Sequence, residues 1–167
     1  LQYVREGWIK GCSLRLCNVY GGLKEGQNVD RGVIDKVFQK ALRGESVTIF
    51  GGGEYLRDYI HIDDVVSAFY SSWKCREQVD GEYFNIGTGT GVSLKDAFHL
   101  VVRLAEEASG QTIEISEVEP PPEMSLIEFR SFVADNKKFS VATGWSPGYS
   151  LEEGLRYSYG KLFEKAV

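Results

Sequence analysis

The feature that most constrains this chain is an alternation of two hydrophobic periods along its 167 residues. Short runs rich in β-branched and aromatic residues, "CSLRLCNVY", "SVTIF", "RDYIHI", "EYFNIG" and "TIEISEV", read as strands. Between them lie longer stretches whose apolar residues recur every three to four positions, the period of an amphipathic helix. Strands alternating with helices predict an α/β fold with parallel pairings. The length is enough to bury a sizeable core, and 43% hydrophobic with 26% charged residues is the balance of a globular protein.

Local signals set the expected boundaries. Leu1, Val4 and Trp8 fall at helical spacing, and Lys10–Gly11 would end that opening helix. "RGVIDKVFQKALRG" places Val33, Ile34, Val37, Phe38, Ala41 and Leu42 on one helical face, with Asp30 as N-cap and Gly44 just past the end. "RDYIHI" alternates as a strand before the helix "DDVVSAFYSSWKC". Ser93 with Asp96 forms a capping box ahead of "LKDAFHLVVRLAEEAS". "EPPPEMSLIE" is a proline-stiffened extended segment and "FRSFVAD" a further strand. A short helix ends at Gly144, and a last helix follows "SPGYS". The chain opens on Leu1, inside a helical pattern with no N-cap, and its one methionine is Met124. This predicts the later part of a longer protein.

Composition narrows the function classes. A formal net charge of −5 offers no basic footprint for nucleic acid or an anionic membrane surface. No apolar run approaches the roughly 18 residues that span a bilayer. Cys12, Cys17 and Cys75 are too few and too scattered for a disulfide framework or a zinc site, and a reducing cytoplasm is the expected compartment.

Three clusters invite chemistry. In "RDYIHIDDV", His61, Asp63 and Asp64 suggest a metal, but they sit where a strand becomes a helix. Asp63 is placed to cap that helix and Asp64 to add favourable charge to its first turn, so no metal is expected. "NIGTGTG", Asn85 to Gly91, resembles a dinucleotide phosphate loop, yet the third glycine of that fingerprint would fall on Val92 and the helix starts late. A strand-to-helix turn is the expectation there. Arg57 and Asn18 each sit at the end or start of a glycine-flanked strand, where α/β proteins place ligands, and their side chains suit phosphate oxygens. An Arg57–Asp58 surface ion pair fits the same residues equally well.

Taken together, "LRLCNVYG", "RDYIHIDDVVSAF", "YFNIGTG" and "VADNKKFSVATGWSPGYSLEEGL" resemble, in order, motifs of the extended short-chain dehydrogenase/reductase family of NAD-dependent nucleotide-sugar epimerases and dehydratases. The resemblance implies a Rossmann lobe that holds NAD and a smaller α/β lobe that holds a nucleotide-diphosphate sugar. Residues 1–22 would be a late helix and strand of the first lobe, 23–167 mainly the second, with 82–110 returning to the first. The family's glycine fingerprint and Tyr-x-x-x-Lys would precede Leu1; Tyr3 is not that tyrosine, because Gly7 stands four residues later. By this resemblance no catalytic residue lies in the chain. Asn18 and Arg57 would contact the diphosphate, Gly32 and Val33 the base, and Thr48 and Phe50 the walls of the base pocket. Glu128 stands where the family has a ribose-binding aspartate, Ser125 where many members have an arginine, and Arg130 matches a phosphate-side arginine of some members. A homodimer, or association through the surface a truncated lobe exposes, is implied as well. The alternative is a stand-alone nucleotide-sugar-binding or interaction module without catalysis.

Overall fold

The protein is described by a computed structural model covering residues 1–22 and 32–163. Asp30, the expected N-cap, lies outside the described residues. The elements run α1 (Gln2–Arg5), β1 (Ser13–Leu16), β2 (Asn18–Tyr20), α2 (Val33–Leu42), β3 (Val47–Phe50), β4 (Leu56–Arg57), β5 (Tyr59–His61), α3 (Ile62–Lys74) and α4 (Arg76–Val79). They continue with β6 (Tyr83–Ile86), β7 (Val92–Ser93), α5 (Leu94–Ser109), β8 (Ile115–Val118), a 3-10 turn (Leu126–Phe129), α6 (Lys137–Thr143) and α7 (Leu151–Phe163). Three pairings are parallel, β1 with β6, β2 with β5 and β3 with β8, and β4 pairs antiparallel with β7.

The run "SLRLCNVY" is two strands rather than one. It changes partner at Cys17, whose N–H still reaches Ile86 while the next N–H, of Asn18, donates to Asp58. Alternation then sorts β2 and β5 between two cores. Tyr20 and Tyr59 enter the larger one, with Ile34, Phe38, Ile49, Val101, Leu104 and Leu155. Val19 and Ile60 enter the smaller one, with Val65, Phe84, Ile86, Phe139 and Trp145. A strand pair with a core on each side is apolar throughout, so β5 is wholly buried and the expected in–out alternation of "RDYIHI" is absent.

Strand β6 pairs with β1 beside the smaller core, while α5 packs on α2, β3 and α7 in the larger one. Helices α3 and α6 join the smaller core. The opening helix is one turn long, ending at Arg5 with Glu6 as its C-cap and Gly7 (φ 75°) just beyond, well short of Gly11, and none of its residues is buried. Residues 112–114 stay outside β8, "LIEF" forms the 3-10 turn, and "FRSFVAD" contributes a single bridge, Phe132 to Arg57.

A buried carboxylate fastens the centre. Asp58, fully buried between β4 and β5, accepts from Thr88 N–H (2.8 Å), Thr88 Oγ1 (2.7 Å), Gly89 N–H (3.0 Å) and Ala134 N–H (3.1 Å). Gly87 is required at this junction: a Cβ there would stand 2.5 Å from Asp58 Oδ2 and 2.6 Å from Cys17 Sγ. The substitution Asp58→Asn sets an amide NH₂ against these donors. It is expected to cost on the order of 3 kcal/mol, read as a lower denaturant midpoint at unchanged slope.

The capping box at Ser93 forms as expected, with Asp96 N–H donating to Ser93 Oγ (2.9 Å) and Ser93 Oγ donating to Asp96 Oδ2 (2.7 Å). The cap of α3 differs from expectation. His61 is its N-cap and Nδ1 accepts from Asp63 N–H (3.2 Å), because Asp63 already lies inside the helix. Asp64 is in the first turn as expected, but it is buried and accepts from Gly148 N–H (2.7 Å) and Tyr149 N–H (3.2 Å). With Nδ1 accepting, His61 is neutral and donates from Nε2 to Ser158 Oγ (2.7 Å). Burial lowers its pKa below the ordinary 6.5, and Asp63, Asp64 and Asp35 offset this only in part. The unfolded chain therefore takes up a proton first. Stability should fall as pH drops below about 6.5 and stop responding to this group below its folded pKa. Denaturation profiles across that range should flatten in His61→Asn, which keeps a capping side chain.

Candidate functional site

The sequence-predicted residues converge on one cleft. It has a volume of about 530 Å³ and is lined by Asn18, Gly32, Val33, Thr48, Phe50, Arg57 and Glu128, all of them expected, together with Val37, Tyr55, Tyr59, Leu94, Phe98 and Met124. Arg130 is not among its walls. It lines an adjoining cleft that shares Asn18, Arg57 and Glu128 with the first.

Each position has a local cause. In β3, Val47 and Ile49 point into the larger core, so alternation turns Thr48 and Phe50 toward the opening. Asn18 and Tyr59 are paired in register on neighbouring strands and therefore share a face. Gly32 starts α2 at φ 87°, and Val33 is left 44% exposed at the mouth. The cleft is thus walled by apolar and aromatic side chains, with a few polar groups, the usual make-up of a small-molecule site.

Arg57 is the strongest donor there. Its guanidinium lies 4.8 Å from the Tyr55 ring centroid. Nη2 donates to the Glu128 carbonyl (2.6 Å), and Nη1 donates to the Arg130 and Leu56 carbonyls. Asp58 meanwhile turns inward to the 88–89 turn and Ala134. Neutral carbonyls thus hold Arg57 in a defined pose, and its positive charge remains available to an anion. Asn18 Nδ2 rests on the Asp58 carbonyl at 3.3 Å.

Two further groups were not evident from the sequence. The Tyr59 hydroxyl is buried with no hydrogen-bond partner among the described residues, at the base of the cleft. Its spacing of two from Arg57 was the available signal, since residues i and i+2 of a strand share a face. Burial raises its pKa, so it is a neutral donor. Cys17, beside the cleft, is pushed up to about 12, chiefly by burial and then by Asp58, and is therefore no thiolate nucleophile.

The remaining candidates serve structure. Thr88 N–H and Gly89 N–H of the glycine-rich turn are spent on Asp58, so the turn does not fit a dinucleotide phosphate. His61 and Asp64 spend their polar atoms on backbone groups and Ser158. Among the described residues no helix is long and apolar enough to cross a membrane.

Residues 1–87 match the family model described as the NAD dependent epimerase/dehydratase family, and the chain belongs to that family. A UDP-glucose 4-epimerase of Mycolicibacterium smegmatis is 32% identical over 138 residues, 83% of this chain and 41% of that protein. The CDP-paratose 2-epimerase of Salmonella typhi is 29% identical over 164 residues, 95% of this chain and 46% of that protein. The crystal structure of a Thermotoga maritima UDP-glucose 4-epimerase with UDP-glucose superposes with a TM-score of 0.78 at 36% identity, covering 98% of this chain and 49% of that one. The fold is of the Rossmann-type α/β class, and the chain spans about half the length of these relatives.

Tyr59→Phe removes a polar atom that lacks a partner. It should leave stability unchanged or raise it by about 1 kcal/mol in thermal or chemical unfolding.

Proposed function

We propose that this chain supplies the nucleotide-diphosphate-sugar cleft of an NAD-dependent epimerase or dehydratase. The observation that carries this is the convergence of Asn18, Gly32, Val33, Thr48, Phe50, Arg57 and Glu128, drawn from separate parts of the sequence, on one opening. Arg57 and Asn18 take the diphosphate: its oxygens carry charge and compete well against the neutral carbonyls of Glu128 and Arg130 for the guanidinium fork. Val33, Thr48 and Phe50, with the Gly32 backbone, flank the base. Glu128 takes the ribose, and Arg130 reaches the phosphate side from the adjoining cleft.

In this reading the elements around the larger core form the nucleotide-sugar lobe. Those around β1 and β6 belong to the Rossmann lobe. NAD is the family's cofactor, and the glycine-rich turn here does not hold it, because its N–H groups serve Asp58. The chain's own part in turnover is to hold the nucleotide, so that remote binding energy fixes the sugar ring for reaction.

Calorimetry against UDP, CDP, GDP and dTDP tests this directly. Binding of at least one is expected. Arg57→Ala should weaken it by about 2 kcal/mol or more, roughly thirtyfold. Failure of all four to bind the folded chain overturns the proposal, as does an Arg57→Ala variant that binds as well as the parent.

A further inference from the structure

Among the described residues, one buried side-chain polar atom has no hydrogen-bond partner, the Tyr59 hydroxyl. Buried polar groups are almost always paired, because one that leaves water unpaired costs free energy that packing does not return. A phenylalanine would fill the same place in the larger core without that cost. The hydroxyl therefore calls for a partner from outside the chain. A trapped water would need two to four polar neighbours, and the core into which Tyr59 turns is largely apolar.

Its position names the chemistry of that partner. Tyr59 lines the cleft, and its register partner on β2 is Asn18. Arg57 stands two residues before it, and the ionisable groups that act on the hydroxyl are Arg57 and Tyr55, the ring under the guanidinium. The hydroxyl thus lies at the cationic end of the cleft. Burial keeps it protonated against the pull of Arg57, so it is an O–H donor. Tyr59 is only 3% exposed, however, so an acceptor meets it only when a wall of the cleft moves.

We propose that Tyr59 is a further ligand-binding residue, a closed-off donor that an anionic ligand uncovers. As Arg57 turns from the Glu128 and Arg130 carbonyls to a phosphoryl oxygen, the Tyr59 hydroxyl donates to an oxygen of the same diphosphate. This rests on the assignment of the cleft to a nucleotide diphosphate. The anion then takes a charged fork from Arg57, an amide N–H from Asn18 and an O–H from Tyr59. An O–H bonded to an anionic oxygen is among the stronger hydrogen bonds. The empty chain carries the cost of the unpaired hydroxyl, and binding removes it. A site with such a buried donor also discriminates against ligands that lack the acceptor.

Calorimetry of Tyr59→Phe against UDP, CDP, GDP and dTDP tests this. The nucleotide that binds the parent should bind the variant about tenfold more weakly or worse. The thermal unfolding midpoint of the empty variant should be unchanged or higher, so the loss is not one of fold. Arg57→Lys keeps the charge without the fork and completes a double-mutant cycle. Because both side chains hold one diphosphate, the double variant should lose less than the product of the two single losses, by about threefold or more. Equal binding by Tyr59→Phe and the parent overturns the proposal. So does strict additivity in the cycle, or a midpoint that falls, which would show the hydroxyl already paired in the empty chain. If Arg57→Ala weakens nucleotide binding and Tyr59→Phe does not, the cleft assignment stands and the role of Tyr59 alone fails. If no nucleotide binds the parent, both fail.

Discussion

The Asp58 carboxylate is the interaction on which the arrangement depends. A buried charge is tolerated only when its hydrogen-bonding capacity is filled, and here three backbone N–H groups and one hydroxyl fill it. Those donors come from the turn after β6 and from the segment that leads into α6. One side chain therefore joins three distant stretches of sequence. The position also divides β4 from β5, so Arg57 goes to the 128–130 segment while Tyr59 stays in register with Asn18. The glycine-rich turn, which has the look of a phosphate loop in the sequence, wraps an anion the protein carries itself.

The same device recurs. Asp35 accepts from Gly21 N–H (3.1 Å) and from the Tyr159 hydroxyl (2.5 Å), tying the start of α2 to β2 and α7. Asp64 holds the 148–149 loop against α3. Each buried carboxylate bonds backbone N–H groups in a neighbouring segment that has no ladder partner there. This satisfies donors that would otherwise be stranded on leaving water. These loops and helix starts are thus fixed by polar contacts, while the strands and helices behind them are held by two apolar cores.

Those two cores explain why the cleft opens where it does. The β2–β5 pair separates them, and residues that face the larger core near the strand starts, Asn18 and Tyr59, emerge at its edge rather than in its middle. Helix α5 then closes the far side with Leu94 and Phe98. The position of Arg57 follows from β4 being two residues long and bridged to Phe132, which brings the 128–130 carbonyls within reach of the guanidinium.

The sequence by itself determined the strand and helix alternation, the parallel pairings, the capping box at Ser93, the helix end at Gly144 and, through resemblance, the residues that line the cleft. These are set by local chemistry, or by motifs whose spacing survives in the chain. Tertiary structure alone decided the rest. Whether "SLRLCNVY" is one strand or two depends on which partner supplies each carbonyl, and α5 chose the larger core because α2 and β3 offer its apolar face a matching surface. Asp63 and His61 compete for one cap within two residues, and burial of the imidazole between Tyr20 and Tyr149 settled it. Arg57 and Asp58 look like a surface pair in one dimension. In three, the aspartate turns inward, where three backbone N–H groups and a hydroxyl fill its acceptor capacity, and the arginine lies at the mouth of the cleft, donating to the Leu56, Glu128 and Arg130 carbonyls.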